Sequence, residues 1–266
     1  MKISVWIFAT DLLQSKKTLI ERLVRKASLF KNTKQEEVFA RLKSSGVDGI
    51  ELLIPANFSA ADFQYLKKIF DENGIIVNSI HQPLRWITKT NFKEVEMLFS
   101  VANKFRARVI VLHLYNAKEQ IFNSHYLNKL RELEKDYDIK ISFENTQKSA
   151  QIFNKKRFWE GKTFAKIIRV SGFLITFDIT HLANAGGDII AFFKQNKEQI
   201  INIHLSDYKT KWSKRGLHLP LGKGSLPIKE FLNVLKENNY DGLITLEIKG
   251  NLEDLCDSAR FIKQVV

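Results

Sequence analysis

The sequence predicts an α/β fold, a (β/α)8 TIM barrel built as a single domain over residues 1–266. Three observations carry that expectation. Short β-branched apolar runs alternate with helical patterns along the whole chain, as in a parallel sheet covered on both faces. Eight such units fit within 266 residues, near the ~250 typical of such barrels. The apolar runs also end, again and again, in His, Glu or Asp. A doubly wound open sheet fits less well, because no glycine-rich phosphate loop follows the first run.

The elements follow in order. Residues 2–8 (KISVWIF) alternate as a first strand. Residues 11–45 are long for one crossover and divide into two helices, because 30–32 interrupts the pattern. Thr33 with Glu36 three residues on has the form of a capping box opening the second helix. Gly46 ends it, and 47–54 reads as a buried strand carrying Glu51. The helix at 59–72 stops at Asn73-Gly74, where Gly supplies a left-handed residue. The strand at 75–80 runs into His81, and, after a helix at 91–105, the strand at 108–112 runs into His113. A helix at 119–137 precedes the strand at 139–143, which ends at Glu144-Asn145. A helix at 161–170 precedes the strand at 173–177, which ends at Asp178, and the stretch to Gly186-Gly187 reads as a closing turn. A helix at 188–196 precedes the strand at 200–203, ending at His204. The long connection 205–226 enters a helix at 227–238, with Pro227 in the first turn. The eighth strand, 242–246, ends at Glu247, and 251–265 is an amphipathic closing helix.

Composition narrows the class. The chain is 44% hydrophobic and 27% charged, which suits a protein with a sizeable core. No apolar run reaches the roughly 20 residues that cross a bilayer, so no membrane partner is expected. The first eight residues read as a strand and not as a signal peptide. A lone Cys256 excludes an intramolecular disulfide framework, and a cytoplasmic protein is expected. The formal charge of +13 fits Lys-rich solvated helices, or else an electrostatic footprint for nucleic acid or phosphorylated substrates.

In a barrel every strand's carboxyl end opens on one face, so distant residues converge there. That face would hold His81, His113, Glu144, Asp178, His204 and Glu247, with His181 one turn beyond Asp178 and His218 on the seventh loop. Five of the six histidines lie at these positions, and only His125 falls inside a helix. Gathering carboxylates at a partly buried site costs stability unless a cation compensates them. Mixed imidazole and carboxylate donors suit a divalent ion such as Mn2+, Zn2+ or Mg2+.

The chain resembles the xylose-isomerase-like TIM barrels, a superfamily of sugar isomerases, sugar epimerases and the endonuclease IV group. The matching pieces are DGIEL (48–52), SIHQP (79–83), VIVLH (109–113), SFEN (142–145), FDITHLANAG (177–186), HLSD (204–207), HLPLGKG (218–224) and LEIK (246–249). The isomerase and epimerase branch implies one divalent ion on Glu144, Asp178, His204 and Glu247. There Glu144 and Glu247 flank the substrate carbon as catalytic acid and base, moving a proton next to an oxygen that the ion polarises. The substrate would be a small sugar or sugar phosphate. The endonuclease IV branch implies a phosphodiesterase acting on abasic DNA with three zinc ions. His81, His113 and Glu144 would take one, the four-residue set another, and His181 with His218 the third. That branch carries an Asp two residues before the last His, where this chain has Gly216. The HLPLGKG run also resembles the epimerase loop more than the endonuclease loop, so the sugar reading leads.

The basic loops leave both readings open. Trp86 follows Arg85, Trp159 closes a Lys-Lys-Arg-Phe run, and Trp212 lies among Lys209, Lys211 and Lys214. Aromatic faces among cations suit nucleic acid bases and phosphates, and suit a sugar phosphate equally. Trp86, Trp212, Lys209, His181 and Glu51 are therefore the expected substrate contacts, with a salt-bridged Glu inside the barrel as an equal reading of Glu51. Barrels of this kind often pair, which leaves a homodimer open.

Overall fold

The computed structural model describes residues 1–13, 34–55, 57–83, 92–113, 124–145, 161–209 and 216–266. Its strands are β1 (Lys2–Phe8), β2 (Gly49–Leu53), β3 (Val77–His81), β4 (Val109–His113), β5 (Lys140–Glu144), β6 (Leu174–Asp178), β7 (Ile200–Leu205) and β8 (Leu243–Leu246). They pair in sequence order and close, β8 returning to β1 through Lys2↔Leu243 and Val5↔Leu246. All eight pairings are parallel, so every strand ends at the same rim.

Alternation along each strand sorts the side chains into two layers. Ile3, Val5 and Ile7, with Ile50, Leu52, Ile110, Ile141, Phe143, Ile175, Phe177, Ile203 and Ile244, join the apolar cluster shared with the surrounding helices. Each such side chain contributes roughly 1.5–3 kcal/mol when fully buried. The other face is polar. Asn202 Nδ2 of β7 donates to Glu51 Oε2 of β2 at 2.9 Å, a bond between strands that are not neighbours and hence across the barrel interior. Ser79 Oγ donates to the same oxygen at 2.7 Å, and Thr245 Oγ1 donates to Asn202 Oδ1 at 2.9 Å. The barrel is thus floored by a bonded polar network, as burial of such groups requires.

The helices are α1 (Ala9–Leu12), α2 (Gln35–Ser44), α3 (Ala60–Asn73), α4 (Phe92–Phe105), α5 (Ser124–Tyr137), α6 (Gly161–Ser171), α7 (Ile179–Asn184), α8 (Ile189–Asn196), α9 (Ile228–Glu237) and α10 (Leu252–Val265). The stop of α3 is as expected, with Gly74 at φ 58°. Three details differ from the sequence expectation. Helix α2 opens one residue later than a Thr33 cap requires: Lys34 is its N-cap, without a side-chain bond, and Thr33 lies outside the described residues. The turn expected after Asp178 is a helix, α7, because Asp178 caps it by accepting from His181 N. A capping box of Asn251 and Asp254, unnoticed in the sequence, opens α10. The first of the two helices expected within 11–45 falls on residues that are not described, apart from α1.

Candidate metal centre

The rim collects the expected residues. His81, His113, Glu144 and Asp178 are the last residues of β3, β4, β5 and β6, His204 is next to last in β7, and Glu247 follows β8 directly. Their donor atoms, with those of His181 and His218, fall into three overlapping groups. These are His81, His113 and Glu144; Glu144, Asp178, His204 and Glu247; and Asp178, His181 and His218. Within each group the atoms lie within 4.8 Å of one another.

The central group of four has the most donors. His204 stands between two carboxylates, its Nε2 2.9 Å from Glu51 Oε1 and its Nδ1 2.8 Å from Glu247 Oε2. Glu144 Oε1 lies 3.7 Å from His204 Nδ1 and 3.2 Å from His181 Nδ1. Asp178 is held by Thr180 Oγ1 and His181 N, both donating to Oδ1 at 2.7 Å, while its backbone exchanges two 2.8 Å bonds with the Asn145 amide. That leaves Asp178 Oδ2 buried without a hydrogen bond among the described residues, and Glu247 Oε2 and His204 Nδ1 in ionic contact at 2.8 Å but out of line for a hydrogen bond. Orphaned carboxylate oxygens at such depth are costly in water's absence. A divalent cation would satisfy all three, and two Glu, one Asp and one His are a fitting donor set for Mn2+, Mg2+ or Zn2+.

Without a cation, the neighbouring imidazoles offset the burial of the carboxylates. Burial alone would raise the Glu144 carboxyl, but His113 and His204 beside it hold it well below the usual carboxylate range. Glu247 likewise resists burial through His218 and His204 and falls to about 2. Burial opposes the charged form of His181, yet Asp178 and Glu144 raise it to about 9. His204 rises well above the ordinary imidazole value against the same burial, through Glu51 and Glu144. A metal would therefore enter by displacing protons.

The outer groups are differently arranged. His181 Nδ1 donates to the Asn145 carbonyl at 2.8 Å. His218 takes a left-handed backbone, φ 57°, and its carbonyl accepts from Lys249 N at 2.6 Å. Asp207 shapes this segment: its carboxylate accepts from the backbone N–H groups of Tyr208, Gly222, Gly224 and Leu226 at 2.7–3.1 Å. The HLPLGKG run is thereby folded around one buried carboxylate, and that holds His218 over the rim.

A profile of the xylose isomerase-like TIM barrels matches residues 39–265. The chain belongs to that family. Among its relatives is an uncharacterized protein of Methanocaldococcus jannaschii, 26% identical over 240 residues, covering 82% of this chain and 77% of the relative. The fold is shared with a D-tagatose 3-epimerase-like protein at TM-score 0.66 and 22% identity, covering 100% and 97% of the two chains. It is shared also with 3-keto-D-glucoside 4-epimerase of E. coli, at TM-score 0.69 and 15% identity over 99% of each. At these identities the structural likeness is one of fold.

Within this family frame, the remaining expectations fall unevenly. Glu51, expected as a substrate contact, is instead fully enclosed below the rim, bonded to Ser79 and Asn202 and set against His204. The competing expectation, a buried paired Glu, describes its surroundings. Lys209 is exposed, its backbone N–H donating to Gly216 O at 3.1 Å. Trp86, Trp159 and Trp212 lie outside the described residues. His125 is exposed on α5, as its helical position implied. Gln82 was passed over in the sequence, although it bonds both His81 and His113. Its place directly after a strand-ending His was the available signal. Among the described residues no helix is long and apolar enough to cross a membrane.

Proposed function

We propose that this protein is a metal-dependent isomerase or epimerase of a small sugar or sugar phosphate. One observation carries the reading: Glu144, Asp178, His204 and Glu247 converge from four strand ends, with three of their buried donor atoms lacking a hydrogen bond. These four residues would hold one divalent ion, whose positive charge stabilises the anion that develops when a carbon-bound proton leaves.

The chain supplies the proton traffic. Glu144 and Glu247 leave strands β5 and β8, three positions apart around the barrel, so they reach a substrate from different sides. Both carboxyls are held ionised, ready to accept a proton. Glu247 is 16% exposed against 2% for Glu144, which makes Glu247 the group that trades its proton with water. Asn145 and Thr180 fix Asp178, and Glu51 fixes His204, so the donors are set before substrate arrives. The fold shared with two proteins named for sugar epimerisation supports the substrate class.

The test is proton exchange. Metal-loaded protein is incubated in D2O with a panel of ketoses and their phosphates, and deuterium at carbon is followed by NMR. Wild type is expected to exchange at least one substrate, and Glu247→Gln and Glu144→Gln to lose that exchange by about 10²-fold or more. Retained exchange in Glu247→Gln removes that residue from the reaction.

A second reading is a phosphodiesterase of the endonuclease IV kind. It rests on the two additional groups, His81–His113–Glu144 and Asp178–His181–His218, whose donors are equally close. Gly216 weakens it by leaving the last group without a further carboxylate. Metal-dependent nicking of an abasic-site duplex, with no sugar exchange, would reverse the ranking.

A further inference from the structure

The His81–His113–Glu144 group has the composition of an ion site, but its hydrogen bonds run in a direction that excludes one. The decisive residue is Gln82, 1% exposed, whose backbone N–H extends the strand ladder to Val111 O at 3.0 Å. Its side chain then reaches across to β4. Gln82 Oε1 lies 3.0 Å from the backbone N of His113, and Gln82 Nε2 lies 3.2 Å from His113 Nδ1. A backbone N–H can only donate, so the amide oxygen must face it and the amide NH2 must face the ring. The orientation of the amide is therefore fixed by the backbone.

The consequence passes through the imidazole. A ring nitrogen that meets an N–H donor must accept, so Nδ1 of His113 carries the lone pair and Nε2 carries the proton. That Nε2 lies 2.7 Å from Glu144 Oε2, the length of a strong N–H···O⁻ bond. Gln82 orients the second histidine too, since its own carbonyl sits 2.7 Å from His81 Nδ1 and accepts the N–H of that nitrogen. His81 Nε2 then faces the same Glu144 Oε2 at 3.2 Å. An ion seated here would need the lone pair of His113 Nε2, and moving that proton to Nδ1 would set two donors against each other.

We propose that Gln82 is a positioning residue that locks His113 as a hydrogen-bond donor to Glu144, closing this group to a second ion. Glu144 then offers Oε2 to His113 and keeps Oε1 for the central group. The inference deepens the one-ion sugar reading and rests on it for its functional meaning, while the protonation pattern itself stands without it. An amide at this position thus sets how many ions the rim can take.

The test separates the two. In metal-free protein labelled with 15N histidine, long-range 1H–15N spectra report which ring nitrogen carries the proton. His113 is assigned by the signal lost in His113→Gln. The expected result is a protonated Nε2 and an unprotonated Nδ1, unchanged when diamagnetic Zn2+ is added at saturating load. A bare Nε2, or a His113 signal that moves onto zinc, overturns the inference. The converse variant is Gln82→Glu. Its carboxylate accepts from both the backbone N–H and an Nδ1–H, which frees Nε2 as in the carboxylate–histidine–metal arrangement. Metal analysis after equilibrium dialysis against Zn2+ should find one more ion per chain in Gln82→Glu than in wild type. An unchanged count in a folded variant overturns the control assigned to the amide. If Gln82→Glu does not fold, the wild-type spectrum decides. Failure of sugar exchange would defeat the proposed activity and leave the His113 spectrum where it was.

Discussion

At the scale of single residues, the site depends on what stands behind each donor. Glu51 shares no contact with solvent, yet it faces Nε2 of His204 and so determines which imidazole nitrogen looks toward the rim. Glu51→Gln keeps the shape and removes the charge. It is expected to weaken metal affinity by about 10–100-fold, in line with other outer partners of metal-bound histidines, measured by competition with a chelating dye. Protonation gives a second prediction for metal-free protein. His181 is raised from 6.5 to about 9, so its stabilisation is complete below pH 6.5 and is lost as pH rises through 9. The loss is on the order of 3 kcal/mol at most, because the neighbouring histidines titrate with it. Thermal unfolding should therefore move to lower temperature between pH 6.5 and 9, and a flat or rising profile would contradict the pairing with Asp178. Glu247 has the opposite sign: its contribution is present above pH 4.5 and is lost as pH falls toward about 2.

At the scale of elements, two short segments do more than connect. Helix α7 exists because Asp178 is both the end of β6 and the cap of the next helix, a dual use that puts His181 in its first turn. The run 218–224 exists as a shaped loop because Asp207 gathers four N–H groups. A Cβ on Gly224 would collide with the Asp207 carboxylate and the Tyr208 N, so the loop needs glycine there for close approach. Asp207→Asn replaces one acceptor oxygen by a donor and should leave one or two of those N–H groups unpaired, at roughly 1–3 kcal/mol each. Hydrogen exchange at Gly222, Gly224 and Leu226 is expected to accelerate by 10-fold or more, while the amides of β2 and β3 keep their protection. Uniform acceleration across the barrel would mean that Asp207 acts on global stability instead.

For the whole molecule, closure of the barrel concentrates titratable groups at one rim. Three carboxylates and five imidazoles share that rim, and their burial makes a cation a stabilising ligand. Saturation at 100 times the dissociation constant adds about 2.7 kcal/mol. Mn2+ or Mg2+ should accordingly raise the unfolding temperature by several degrees, and EDTA should reverse the rise. A melting temperature indifferent to both would remove the metal centre. Among the described basic residues of the long seventh and eighth loops, Lys209 and Lys249 are both exposed, and Lys249 meets His218 through its backbone N–H.

The sequence by itself determined the barrel and the membership of the rim. Short β-branched apolar runs ending in His, Glu or Asp, as at Glu144, Asp178 and His204, are local signals, and strand number follows from counting them. Family motifs supplied their order. Helix ends were legible where one residue decides them, as at Gly74, and slipped where a cap one position away decides, as at Lys34. Tertiary structure alone decided which atoms meet. Glu51 and Asn202 are far apart in sequence but join across the barrel floor, and no spacing rule anticipates a bond through a closed interior. Likewise, nothing local to His113 tells which of its nitrogens carries a proton. That depends on Gln82, a residue on the neighbouring strand end, whose amide is turned by a backbone N–H that only the folded sheet puts within reach.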